Sequence, residues 1–345
     1  MKKLFAFTTV CMAASLAASL CACGATTPTT LSFAGDLQSL YGQNGYPQAV
    51  LVAKKSVIES DEAAVGTMIS YFEGSKAYLE TADGASVVNL LNAHYPSGMT
   101  PSFNAKNLTA EVISHCSVRF TKSADCKEEV NAFLQKLVAL DETSTKTVED
   151  AFYYTGTPQA GESSGSYKVY APDGAPALSL ANAIQRTEGS TFEYHIVAAN
   201  AITAQVTGEN PAADFCVLPV NAAAKLFRTG TSYQMLGTVT NGNMYFLGAG
   251  EQTVLMSENL ATALKGKTIG VVQLANVPGL TLRSVLEAHN IEYVILDNAT
   301  TANDSTKVYL KPIADAATGV TPAGGCDYYL CPEPAASAKV SAFKK

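Results

Sequence analysis

The sequence predicts an α/β protein built from two lobes. From residue 166 onward, short apolar runs typical of strands alternate with segments of helical periodicity, which is the pattern of α/β units on a largely parallel sheet. Roughly 320 residues remain once an export signal is removed, and a chain of that length usually exceeds one core. Residues 161–166 have the Gly- and Ser-rich composition of a flexible linker and separate this part from a more helical N-terminal third.

Residues 1–22 are typical of a bacterial lipoprotein signal peptide. Two lysines open it, residues 4–20 are apolar or small, and cysteines stand at positions 21 and 23. Cys23 is the better lipid acceptor because the small Ala22 precedes it, whereas Leu20 precedes the other cysteine. An ordinary secretory signal or a membrane anchor is the alternative, but the segment is short for a transmembrane helix. We expect a tether at 23–30 and an extracytoplasmic protein anchored to the cell membrane through lipidated Cys23.

The charge and the cysteine count narrow the function further. Acidic residues number 30 against 23 Lys and Arg, a net charge of −7, which argues against nucleic acid as a partner. Five cysteines follow the lipid acceptor Cys23, so at least one thiol is free. Cys116 with Cys126 and Cys326 with Cys331 each flank an extended segment, which disfavours a disulfide within either pair. The adjacent His115 and Cys116 are interpreted as incidental, and neither a metal nor a cofactor is expected.

Hydrophobic periodicity assigns the elements in order. The N-terminal third contains one long strand-like run at 47–58 and helices at 61–79, 105–114 and 124–140. In the later part, strands are predicted at 167–171, 192–198, 214–220, 233–238, 244–247, 268–272, 293–296 and 327–331, and helices at 177–185, 202–207, 222–227 and 280–289.

Four segments of the later part carry a family resemblance. Residues 168–181 (KVYAPDGAPALSLA) resemble an opening strand, loop and helix, 214–221 (DFCVLPVN) a strand entering a cleft, 264–270 (LKGKTIG) with Pro278 the start of a second lobe, and Glu333-Pro334 a late signature. Together they resemble the solute-binding proteins of bacterial ABC importers, in the group that includes nitrate, sulfonate and thiamine-precursor binders. The resemblance implies a two-lobed, periplasmic-binding-protein-like (type II) fold with a cleft between the lobes.

The order of these segments is rotated relative to that family. Residues 46–55 and the helix after them resemble what the family carries after its Glu-Pro signature. Joining residue 345 to residue 31 restores the order and indicates a circular permutant; chance similarity of one strand and one helix is the alternative. Lobe A would then comprise 47–155 plus 166–247 and lobe B 31–46 plus 248–345, with 156–165 linking the ancestral termini.

Ligands of such lobes lie at the carboxyl ends of parallel strands, where loops lead into helices. Two loops fit this position, one at 172–176 and one at 273–278, although helix capping alone is an alternative role for both. The predicted ligand-binding residues are Pro172, Asp173, Gly174, Ala175, Asn221, Asn241, Asn243, Gln273, Asn276, Tyr328 and Glu333.

Several of these residues have a second interpretation. Asn221 is equally suited to cap the next helix, and Glu333 to form a salt bridge between lobes. Asn241 and Asn243 are interpreted as a hinge turn first and as ligand contacts second. Tyr328 is a candidate for stacking on a planar ligand, although one of two adjacent strand tyrosines should face the core.

The resemblance implies a monomer that captures a small polar or heteroaromatic solute and presents it to an ABC permease and its ATPase. A nucleophile elbow, a Cys–His pair with an orienting acid and a Walker loop are all missing from the sequence, so an enzyme is not expected. A sensor or adhesion module of the same fold, and an enzyme related to pyrimidine-precursor synthases, are the alternatives. The neutral candidate loops favour an uncharged or weakly cationic ring such as a pyrimidine.

Overall fold

The computed structural model describes residues 27–163, 165–186, 191–297 and 302–344, which form two six-stranded sheets flanked by helices. This architecture confirms the predicted α/β class. The strands are β1 Leu31–Asp36, β2 Ala49–Lys54, β3 Val118–Lys122, β4 Tyr167–Pro172, β5 Phe192–Val197, β6 Phe215–Pro219, β7 Tyr233–Thr240, β8 Met244–Ala249, β9 Thr268–Val272, β10 Tyr293–Ile295, β11 Val308–Ile313 and β12 Tyr328–Pro332.

The helices surround these strands and differ widely in length. They are α1 Leu37–Tyr41, α2 Lys55–Ser60, α3 Glu62–Glu73, α4 Ser75–Thr81, α5 Gly84–Asn92, α6 Ala110–His115, α7 Ser123–Leu140, α8 Ala175–Leu178, α9 Ala181–Arg186, α10 Val220–Phe227, α11 Leu260–Leu264, α12 Val277–Ala288, α13 Ala316–Gly319 and α14 Ala335–Ala342. α3 shows how the sequence sets them: the Asp61 carboxylate accepts the N–H of Ala64 at 3.0 Å, and Val65, Met68 and Phe72 recur on its buried face.

The two sheets share an arrangement of strands. Sheet 1 has the order β3-β7-β2-β6-β4-β5, and sheet 2 has the order β1-β8-β12-β9-β11-β10. In sheet 1, β2 runs antiparallel to its neighbours β7 and β6. In sheet 2, β8 runs antiparallel to its neighbours β1 and β12. Beyond each antiparallel strand lies a set of parallel strands, β6-β4-β5 in sheet 1 and β12-β9-β11 in sheet 2.

Two short connections join the sheets within the described residues. Residues 42–48 lead from α1 to β2, and residues 241–243 lead from β7 to β8, so each antiparallel strand is entered from the opposite sheet. The connections touch through their backbones, because Tyr46 N donates to Asn241 O at 3.3 Å. Gly45 has φ +74°, and a Cβ there would lie 2.0 Å from Asn241 O, so this approach requires glycine.

One buried core continues from sheet 1 to sheet 2. It contains Phe133 and Leu137 of α7 together with Leu282 and Val285 of α12, and the two helices pack on each other. Arg283 of α12 donates to Leu140 O at 3.0 Å, which adds a polar contact at the end of α7. Separate cores cover the opposite face of each sheet. The two halves are therefore packed together along one side.

Several predicted elements differ from the structure, among them the helix expected at 61–79, which is divided into α3 and α4, and the one expected at 202–207, where only short 3-10 turns occur. The run at 47–58 is not one strand, because β2 ends at Lys54 and α2 begins at once. The helix expected at 177–185 is broken between α8 and α9, and the one expected at 105–114 begins only at residue 110. The prediction also assigned 244–247 to lobe A, whereas β8 pairs with β1 and β12 in sheet 2.

The cysteines and the chain ends complete the fold. All five cysteines of the described part are buried, free thiols, and burial raises the pKa of Cys126 to about 11 and that of Cys331 to about 12. Leu31 N donates to Phe343 O at 3.1 Å, which brings β1 against the end of α14. The signal peptide predicted at 1–22 and the lipid acceptor Cys23 lie outside the described residues. Within the described ranges, no helix combines the length and apolarity needed to cross a bilayer.

Candidate functional site

The carboxyl ends of the parallel strands of both sheets face a common boundary. Pairing places the end of β6 and the end of β7 beside Ala49, at the edge where residues 42–48 enter sheet 1. The end of β12 likewise lies beside Met244 in sheet 2. Only three residues separate Thr240 from Met244. The chain between them spans at most about 14 Å, so the two sheet edges lie within that distance of each other there. The loops after β4 and β9 both leave their sheets at this boundary.

Asp173, in the loop after β4, is fully engaged within the protein. Its carboxylate accepts the hydroxyl of Tyr95 at 2.6 Å, the hydroxyl of Ser102 at 2.6 Å and the Ser102 N–H at 3.1 Å. Burial raises the pKa of the Tyr95 phenol, and the bond to the Asp173 carboxylate raises it further. Asp173 therefore anchors the segment 95–102 beside the end of β4 rather than standing free for a ligand.

The other predicted residues of this loop differ in their exposure to solvent. Pro172 and Ala175 are buried, whereas Gly174 is partly exposed with φ +99°. A Cβ on Gly174 would meet only Pro176 Cδ, at 4.0 Å, so another molecule can approach this backbone closely. The helix that follows, α8, has only four residues, and the expectation that a long helix begins here was wrong.

The loop after β9 carries the two free amides of the site. Gln273 and Asn276 are exposed, and neither side chain forms a hydrogen bond recorded within the described ranges. Gln273 has φ +59°, a left-handed conformation that costs free energy for a residue other than glycine. Asn276 N donates to Gln273 O at 3.0 Å and closes the turn before the twelve-residue helix α12. These amides can both donate and accept hydrogen bonds.

The three other asparagines hold the backbone together. Asn221 Nδ2 donates to Ser144 O at 3.2 Å; since α10 begins one residue earlier, Asn221 is not its cap. Asn241 Nδ2 donates to Arg119 O at 3.1 Å. Asn243, which is buried, accepts from Gln48 Nε2 at 2.8 Å. All three side chains fix segments next to the boundary between the sheets.

Glu333 connects the two halves of the molecule. Its side chain is completely buried, and Oε1 lies 2.8 Å from His115 Nδ1 while also accepting the Ser337 hydroxyl at 2.7 Å. His115 is the last residue of α6 in the sheet 1 half, and its ring stacks on Tyr245 of β8 at 4.4 Å. Of the two interpretations of Glu333, the geometry favours the contact between the halves, with His115 as its hydrogen-bond partner.

Sequence reasoning missed His115. It was interpreted as incidental because only its neighbour in the chain, Cys116, was considered as a partner. His115 ends α6 three residues before β3 begins, so no local pattern linked it to Glu333, which stands directly beyond β12. Burial raises the pKa of the Cys116 thiol well above its usual value, with the Glu333 charge acting in the same direction, so the His115–Cys116 pair is unsuited to nucleophilic chemistry.

Tyr328 is not a ligand residue, and that prediction was wrong. Both Tyr328 and Tyr329 are completely buried, and the Tyr328 hydroxyl donates to Thr253 O at 2.9 Å. β12 lies between β8 and β9 with cores on both faces, so alternate side chains along it are all enclosed.

A well-formed cavity of about 460 Å³ lies elsewhere, and of the predicted residues only Asn241 borders it. Comparison of the chain with protein-family models, with curated proteins and with solved structures finds no match.

Proposed function

We propose that this chain is a lipid-anchored, extracytoplasmic solute-binding protein whose two lobes close over a small neutral solute and present it to an ABC permease and its ATPase. The observation that carries the proposal is the placement of the loops after β4 and β9. Both stand at the boundary between two α/β halves, with Gly174 open on one side and the amides of Gln273 and Asn276 free on the other.

The connections support closure of the lobes. Residues 42–48 and 241–243 are short and touch each other, which is what a hinge between two rigid bodies needs. The His115–Glu333 pair joins the halves near the same boundary and would form as the lobes meet. A type II fold with lobe A around sheet 1 and lobe B around sheet 2 fits these features.

The contact between Leu31 N and Phe343 O supports circular permutation. A family member with the ordinary order would continue from α14 into β1, and these two elements are already hydrogen-bonded. Opening the chain there and joining it at 156–165 requires no change in the packing of either sheet.

The chemistry of the boundary favours a neutral ligand. The carboxylates of Asp173 and Glu333 are occupied by internal donors, so they do not offer free charge. The free groups are amides and backbone, which suit a polar or heteroaromatic ring such as a pyrimidine. Capture without chemical change is the proposed action.

The test is a panel of small solutes, including pyrimidines, mixed with the purified protein while its melting temperature is followed. A solute at about 100 times its Kd should add about 2.7 kcal/mol to the free energy of unfolding. Gln273→Ala and Asn276→Ala should each weaken binding about threefold to tenfold, because one neutral hydrogen bond is lost. Gln135→Ala, on the exposed side of α7, is the matched control.

Each part of the proposal can fail separately. No shift with any solute would remove solute binding and leave an adhesion role. Binding without any loss of solute uptake in cells that lack this chain would favour a sensor. Recovery of an altered solute after incubation would favour an enzyme.

A further inference from the structure

The cavity of about 460 Å³ lies on the other side of the connections from the loops after β4 and β9. It is bounded by α1 and residues 42–45 on one wall and by α4, α6 and the start of β3 on the other. β3 and β1 are the outer strands next to the connections, whereas β4 and β9 lie beyond the antiparallel strands. The cavity is therefore separate from the proposed solute site.

Arg119 lines this cavity with most of its donors unused. One guanidinium N–H donates to Asn44 O at 3.0 Å, and no carboxylate within the described ranges forms an ion pair with it. The neighbouring lysine of the cavity, Lys76, is paired with Glu80 one turn away on α4. Arg119 is thus a partly exposed cation available to an anion, and its planar fork fits a carboxylate.

Gln38 also borders this cavity, but its amide is held within the protein. The residue is more than nine-tenths buried, and Oε1 accepts the Met244 N–H at 3.1 Å. The amide also acts on Tyr245, where it opposes the burial that raises the pKa of the phenol. Arg119 is therefore the donor that the cavity offers to an anion.

The rest of the lining includes apolar side chains. Leu79 of α4, Ile113 of α6 and Val118 of β3 border the cavity. A cation and an apolar wall in one cavity match a molecule with a single carboxylate and an apolar body. The volume suits a compact molecule of that kind.

We propose that this cavity binds a small monocarboxylate. Its carboxylate accepts hydrogen bonds from the Arg119 guanidinium, and its apolar body packs against Leu79 and Ile113. This site is independent of the proposed solute site, and failure of either proposal leaves the other standing.

The test is titration calorimetry of the whole protein with benzoate and hexanoate, each compared with its neutral amide, benzamide or hexanamide. We expect the acid to bind more tightly than its amide. Arg119→Gln should weaken acid binding about tenfold to a hundredfold and abolish the preference over the amide, because a charge-assisted bond is lost. Arg228→Gln, which removes an exposed arginine from the end of α10, is the control and should leave binding unchanged.

A steric variant keeps the proposal testable if Arg119→Gln disturbs folding. Ala110 is exposed at the cavity, and Ala110→Phe should block benzoate without lowering the melting temperature. Absence of binding by either acid, equal affinity for acid and amide, or unchanged binding in Arg119→Gln or Ala110→Phe would each overturn the assignment.

Discussion

His115 Nδ1 lies 2.8 Å from Glu333 Oε1, and this hydrogen bond joins the sheet 1 half to the sheet 2 half. About a quarter of the His115 side chain is exposed, whereas Glu333 is completely enclosed. Ser337 gives the carboxylate two further hydrogen bonds from within its own half. His115 is thus the hydrogen-bond partner that the sheet 1 half supplies to the buried Glu333 side chain.

Removing His115 should destabilise the protein strongly. His115→Ala removes a hydrogen bond from the completely buried Glu333 side chain, and we expect a loss of about 1.5–3 kcal/mol in the free energy of unfolding. His289→Ala, at the end of α12, should cost less than about 1 kcal/mol. Urea denaturation measures both variants, and equal losses would contradict the structural role of the pair.

Asp173 should control the order of the segment 95–102. Asp173→Asn replaces charge-assisted hydrogen bonds to Tyr95 and Ser102 with weaker neutral ones. We expect the Ser102 amide to exchange with deuterium about tenfold faster. Asp304→Asn, which alters a turn in the other half, should leave that exchange rate unchanged. Full protection of the Ser102 amide in Asp173→Asn would contradict the anchoring role.

We predict that the side chain of Gln273 has a role in binding, and that its backbone conformation lowers the stability of the fold. Its φ of +59° is strained for glutamine and accessible to glycine, so Gln273→Gly should leave the melting temperature unchanged or raise it. Ala275→Gly, two residues on in the same loop, should cost about 0.4–1 kcal/mol, because it only adds freedom to the unfolded chain. Calorimetric melting of the two variants compares them directly. A clear loss in Gln273→Gly would show that no strain is relieved there.

His94 should make the protein less stable in mild acid. Burial lowers the pKa of His94, the nearby His195 lowers it further, and the bond to Tyr194 O opposes both. The unfolded chain then binds a proton near pH 6.5 that the folded chain does not, so stability falls as the pH drops below about 6.5 and is constant above it.

His94→Gln should reduce this fall between pH 7 and pH 5, and His289→Gln should not. Melting temperatures across that range provide the measurement. Parallel pH profiles for His94→Gln and the unaltered protein would exclude His94 as a source of the effect.

The sequence predicted the class of the fold and many of its elements, because these depend on local patterns. β9 was placed at its observed bounds, and α7 differs from its predicted helix by one residue at its start. The pattern failed between Lys54 and Lys55, where strand becomes helix with no glycine or proline between them. It also placed β8 in the wrong lobe, since the strands that pair with it, β1 and β12, are distant in the chain.

The site was harder to predict because its roles depend on long-range partners. From the sequence alone, Asp173 and Glu333 are plausible ligand residues. The structure shows that Ser102 occupies the first carboxylate and His115 the second. The burial of Tyr328 could not be predicted without knowing that β12 is an inner strand covered on both faces. Gln273 and Asn276 were identified because position after a strand and before a helix is itself a local signal.

The pairing of β1 with β8 has a consequence for biosynthesis. Residues 31–36 emerge from the ribosome well before residues 244–249, which provide their hydrogen bonds. In that interval the backbone N–H and C=O groups of β1 have no strand to pair with and its apolar side chains are uncovered. Both features favour association between nascent chains. We therefore expect productive folding to depend on a holding chaperone, and slowed translation before codon 249 to increase aggregation.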